Sequence, residues 1–195
     1  MNAHIRQVMT DSAQDFRALV WPRIASTPLV NGGEIRPVEL LTADQLPIPV
    51  DTLAGIDAWQ VSHRQGFMRG IASRVQWGVC YSSFTIRTRS VFGQETELHK
   101  RWRALQHSAD GYLYPHLTVQ AYVDQRQGKL LAAAAIRTRC LIEAAIALTG
   151  TAGLLDKPNR AYGLRRNPDG SQFLFMTWAY LIELNAMEQD SLVVA

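Results

Sequence analysis

Cysteine is scarce in this 195-residue chain, with only Cys80 and Cys140 present. They form no CxxC pair and no disulfide framework, and lone cysteines in such a chain are ordinarily buried apolar residues. The five histidines (His4, His63, His99, His107, His116) show neither HExxH nor any paired metal-ligand spacing, which argues against structural zinc. No apolar run approaches the roughly 20 residues of a membrane helix. The opening Met-Asn-Ala-His-Ile-Arg lacks the apolar stretch and small-residue cleavage site of a secretory signal. There is no fixed-period repeat, no low-complexity tract and no linker. What remains is 47% hydrophobic and 19% charged, enough to build one core. The expectation is a soluble cytoplasmic protein with no membrane segment, folding as a single domain over residues 1–195.

Charge is unevenly placed. Residues 1–60 hold four arginines against seven acids, residues 61–175 hold 16 Lys and Arg against seven acids, and residues 176–195 hold three acids and no base. A basic middle between acidic ends suits a polyanion, so nucleic acid, DNA or RNA, is the expected partner, with other protein subunits as an alternative.

Apolar periodicity predicts a helix over 11–24 with Phe16, Leu19, Val20 and Ile24 on one face, Asp11 as its cap and Pro22 kinking it or moving its end earlier. An edge strand follows at 34–41, holding Pro37. After a loop marked by Pro47 and Pro49 come strands at 54–61, 70–77, 79–90 and 117–124. The third and fourth are separated by a helix over 94–108, with its acids early and its bases late, as the helix dipole favours. Residues 130–149 open apolar and end in an alanine-rich helix. Residues 162–178 read as a hairpin around Asn167-Pro168-Asp169-Gly170. Its second strand, Phe173–Trp178, is apolar on both faces and so central, and a last helix spans 179–188. The order predicts an α/β or α+β domain with a mixed central sheet flanked by helices. Residues 130–195 are expected to extend that same sheet.

The candidate site residues come from alternation along the strands. In 79–90, Ser83, Thr85, Arg87 and Arg89 share one face, a row of hydroxyls and guanidiniums suited to phosphate oxygens. In 117–124, Thr118, Gln120 and Tyr122 oppose Leu117, Val119, Ala121 and Val123. If neighbours, the two polar faces make a basic floor, with a solvated sheet face as the plainer alternative. Segment 63–74 adds Arg64, Arg69 and Arg74 between glycines but lacks the Lys-Ser/Thr ending of a P-loop. Loop 157–166 adds Lys157, Arg160, Arg165 and Arg166. Asp57, in Gly-Ile-Asp-Ala-Trp, is a carboxylate among apolar neighbours that requires a partner or a metal.

The helix 11–24, then Gly-Ile-Asp, then Ile-Ala-Ser-Arg-Val-Gln resembles, over residues 11–124, the restriction-endonuclease-like nucleases of the PD-(D/E)xK type. That family places an Asp on one strand and acid-x-Lys on the next, holding a divalent cation that activates water. Here Arg74-Val75-Gln76 fills the acid-x-Lys position, so the second acid has moved, to Glu97 or Glu39, or metal catalysis is lost. The resemblance implies Mg²⁺ on Asp57 and Glu97, with Gln76 or Lys100 orienting water and Arg87 stabilising phosphorane charge. Glu95-Thr96-Glu97 after Ser-Ser-Phe-Thr faintly resembles mono-ADP-ribosyltransferases, but those elements lie too close together, and helix-start acids explain the pair. Two function classes therefore stand side by side: a nucleic-acid-binding protein acting as a metal-dependent endonuclease, and a non-catalytic binding subunit of a larger assembly.

Overall fold

Nine strands alternate with helices in the computed structural model, which describes residues 3–38, 55–91, 93–156 and 159–194. In chain order the strands are β1 (Glu34–Pro37), β2 (Ala58–Ser62), β3 (Phe67–Trp77), β4 (Ser83–Arg89), β5 (Leu117–Val123), β6 (Leu130–Arg137), β7 (Tyr162–Arg166), β8 (Gln172–Thr177) and β9 (Leu192–Val194). The helices are α1 (Ala3–Asp15), α2 (Trp21–Ile24), α3 (Glu97–Gln106), α4 (Thr138–Gly150) and α5 (Trp178–Glu183). Six strands form one mixed sheet in the order β1-β2-β3-β5-β6-β9. Its single parallel pair is β3 with β5, and every other pairing is antiparallel. The remaining three form a second antiparallel sheet, β4-β8-β7. The class is mixed α/β in a single domain, and no described helix is long and apolar enough to cross a membrane.

The layering follows from the alternation of side chains across β5. Leu117, Val119 and Ala121 pack with Phe16, Val20 and Ile24 of the N-terminal helical segment. The opposite face, through Tyr122 and the neighbouring Ala134 and Ile136, meets Phe84, Ile86, Leu174 and Met176 of the second sheet, with Leu141 of α4. β5 is therefore buried along its whole length, on both faces. A hydroxyl rivets the two sheets together. Tyr122 is wholly buried; it donates to the Ser83 carbonyl at 2.8 Å and accepts from the Ser83 amide at 3.3 Å.

Several expectations change. The first helix begins at Ala3, so Asp11 is internal to it, where it accepts from Gln7 and pairs with Arg126. A π-helical turn over Phe16–Val20 joins α1 to α2. Pro22 follows that π-helical turn, inside a helical run that continues without a break from Ala3 to Ile24. The hairpin β7–β8 does not extend the main sheet; it pairs with β4 instead, and only β6 and the unforeseen β9 continue the six-stranded sheet. β8 is central, but in the smaller sheet. The loop with Pro47 and Pro49, together with Glu39 and Lys157, lies outside the described residues.

Candidate nucleic-acid interface

The second sheet has two unlike faces. Phe84, Ile86, Leu174 and Met176 point inward and are buried. The register sets the outward face in rows. Arg87 of β4, Phe173 of β8 and Arg165 of β7 are direct neighbours, and Thr85, Phe175 and Gly163 form the next row. Phe173 and Phe175 are two residues apart on the central strand and half-buried, while Arg87 and Arg165 are exposed. The Arg165 guanidinium sits 5.3 Å from the centre of the Phe175 ring. A Cβ on Gly163 would stand 3.0 Å from that ring, so glycine lets the phenyl lie flat across β7. A residue-sized shift in pairing follows Arg87, so Arg89 and Arg166 both oppose Gln172 at the end of the sheet. They are exposed there, beside the aromatic rows rather than within them.

Arg74 joins the two sheets at this edge. It donates to the Thr85 hydroxyl and lies 3.5 Å from Glu97. Glu97 opens α3 and also pairs with Arg101 at 2.8 Å, and it accepts from the Arg87 amide at 3.3 Å. Burial alone would raise the Glu97 pKa; Arg101, Arg74 and the Arg87 amide outweigh it and hold the carboxyl below its ordinary value. Arg101 is buried, and its Nε finds no hydrogen-bond partner among the described residues.

Gln120 corrects the expected polar floor. It does share a row with Arg74, but it is 1% exposed, and its amide nitrogen has no hydrogen-bond partner among the described residues. β4 and β5 belong to different sheets, stacked rather than side by side. The polar face of β5 is thus an interior layer. Asp57 precedes β2, and its carboxylate accepts from the Ser73 amide at 2.6 Å. The Asp57 amide donates to the Ile71 carbonyl at 2.9 Å, so the chain already runs beside β3 just ahead of β2. Arg74 and Asp57 both line a small pocket of about 220 Å³ against α1.

The Mg²⁺ implied by the nuclease resemblance does not suit this donor set. A cation at Glu97 would have to displace Arg101 and Arg74, since hard divalent ions require free oxygen ligands. Among the described residues no three His, Cys, Asp or Glu side chains group to hold a metal. Gln76 is half-buried opposite Tyr122 on β3, and Lys100 lies one turn beyond Glu97. Arg64 is exposed in the β2–β3 turn. Arg69 is half-buried elsewhere, donating to the Leu29 and Val30 carbonyls and to Gln60.

The sheet therefore brings together Thr85, Arg87 and Arg165, with Arg74, Arg89 and Arg166 at its margins. Sequence reasoning missed Phe173 and Phe175, taking them as core. The signal for Phe173 was the exposed arginine on either side of it once β4, β8 and β7 are paired; Phe175, between Thr85 and Gly163, carries no such signal. Comparison of the chain with protein-family models, with curated proteins and with solved structures finds no match in any of the three.

Proposed function

We propose that the protein binds nucleic acid, single-stranded segments above all, through the outward face of the three-stranded sheet. The observation that carries this is the row of Arg87, Phe173 and Arg165, with Phe175 beside it. Aromatic rings two residues apart on a strand have the spacing to take successive bases, and stacking is worth about 1–3 kcal/mol per base. Guanidiniums on both neighbouring strands reach the phosphates that flank stacked bases. In the free protein the Arg165 guanidinium covers the Phe175 ring. A planar base can take that place while Arg165 turns to the backbone. Paired bases in a duplex do not present their faces, so a single strand fits this surface better.

The test is fluorescence anisotropy with labelled single-stranded DNA, single-stranded RNA and a duplex of the same sequence. We expect single strands to bind more tightly than the duplex. Phe173→Ala with Phe175→Ala should weaken binding at least tenfold while leaving the circular dichroism spectrum intact. Equal affinity of that variant, or no binding to any strand at low salt, refutes the proposal. Incubation with plasmid or RNA in Mg²⁺, Mn²⁺ or EDTA addresses the enzyme reading. EDTA-sensitive cutting that Asp57→Ala abolishes would establish a nuclease.

A further inference from the structure

At the end of β5 remote from Tyr122 lies a second pocket, of about 390 Å³, that shares no residue with the aromatic sheet face. Its cationic lining comes from three separate elements. Arg69 projects from β3, Arg137 ends β6, and Arg139 stands in the first turn of α4. His116, on the approach to β5, adds a ring that stacks on Tyr114 with ring centres 5.2 Å apart and planes at 26°. Pro28, Leu29 and Leu117 supply an apolar wall.

This grouping holds like charges together with little to offset them. Glu188 also lines the pocket, 4.0 Å from Arg137, and Glu143 lies 3.8 Å from Arg139, with all four side chains more than half exposed. Pairs of that length and exposure contribute almost nothing and exchange readily for a better anion. Among the described residues no carboxylate pairs with Arg69, whose guanidinium is held by backbone carbonyls and Gln60. Burial, and then Arg137, lower the Arg69 pKa, and burial with Arg69 lowers that of His116. Arg139 and Cys140, both in the first turn of α4, line the pocket.

We infer that this pocket binds a phosphate monoester carried on a small ring-bearing group. A monoester phosphate brings about −1.5 to −2 charges at neutral pH and three acceptor oxygens, matching several converging guanidiniums better than a carboxylate does. A volume of 390 Å³ lies within the range of small-ligand sites, roughly 300–1,000 Å³. The Tyr114–His116 pair and the apolar wall offer the ring its surface. A free mononucleotide and the 5′-phosphorylated end of a strand share this chemistry.

Isothermal titration of the full chain with 5′-AMP, adenosine and inorganic phosphate tests the inference. A parallel arm compares 5′-phosphorylated with 5′-hydroxyl oligonucleotides. We expect 5′-AMP to bind at least tenfold more tightly than adenosine. Arg137→Glu with Arg139→Glu, both at exposed positions, should abolish that difference while unfolding at the same urea midpoint within error. Phe173→Ala with Phe175→Ala should leave it unchanged, which separates this pocket from the sheet face. A 5′-phosphate preference among oligonucleotides, lost in the arginine variant, would assign the source to strand ends; AMP binding without it would assign a free mononucleotide. AMP bound no more tightly than adenosine, or as tightly by the folded arginine variant, overturns the inference.

Discussion

Glu97 shows how a residue that looks catalytic in sequence can be structural. It opens a helix, as an acid should, and it joins Arg101, Arg74 and the Arg87 amide. Arg101 is 6% exposed and depends on Glu97 for its counter-charge. Removing one member of a buried pair strands the other, at roughly 3 kcal/mol or more. Glu97→Gln should therefore lower stability at pH 7 by about 3 kcal/mol, read as a shift in urea midpoint. The carboxyl's pKa is depressed from its ordinary 4.5 in the folded chain. Its stabilisation is thus complete above that value and is lost as pH falls through the lower, folded value. The gap between wild type and Glu97→Gln should narrow on acidification from pH 5 to pH 3. A constant gap across that range would show that the lost stability comes from packing rather than charge.

Among the elements, β5 and β8 show what strand alternation does and does not reveal. Along β5 it sorts Leu117, Val119 and Ala121 from Thr118, Gln120 and Tyr122 correctly, but polarity does not report exposure, because a second layer covers the polar face. Tyr122 makes the point: its ring is buried and its hydroxyl is satisfied by Ser83 across the inter-sheet gap. Tyr122→Phe leaves the Ser83 carbonyl and amide without that partner and should cost about 1–2 kcal/mol, measured by chemical denaturation. An unchanged midpoint would mean the sheets are held by apolar contact alone. Along β8, Phe-Leu-Phe-Met offers no polar contrast, so the reading of burial on both sides missed a half-exposed aromatic face. The hairpin and its turn were legible because Asn-Pro-Asp-Gly is local chemistry. Its pairing with β4 was not, because the partner lies some 90 residues earlier and nothing nearby specifies it. Asp57 was singled out correctly as a carboxylate needing a partner. That its partner is the Ser73 amide depends on where β2 begins, a boundary the sequence does not mark.

Across the whole molecule, the basic middle of the chain resolves into separate surfaces. Arg87 and Arg165 flank the aromatic rows, Arg89 and Arg166 stand at the sheet's end, and Arg69, Arg137 and Arg139 gather around the second pocket. Charge spread merely for solubility would leave binding indifferent to which arginines are removed, whereas localised contacts leave a measurable signature. Each phosphate neutralised on a single strand adds about −0.7 to the slope of log affinity against log salt. Two contacts on the aromatic face, from Arg87 and Arg165, give a slope of about −1.4, an affinity loss of about sevenfold between 50 and 200 mM salt. Arg87→Ala with Arg165→Ala should flatten that slope by about 1.4. Phe173→Ala with Phe175→Ala should lower affinity at every salt concentration and leave the slope as it was, because stacking releases no counterions. The two variants thus separate charge from stacking on one surface, using the anisotropy assay across a salt series. A slope unaltered by loss of both arginines would place the phosphate contacts elsewhere on the molecule, and a slope altered by loss of the phenyl rings would mean that the strand's register on the sheet had moved.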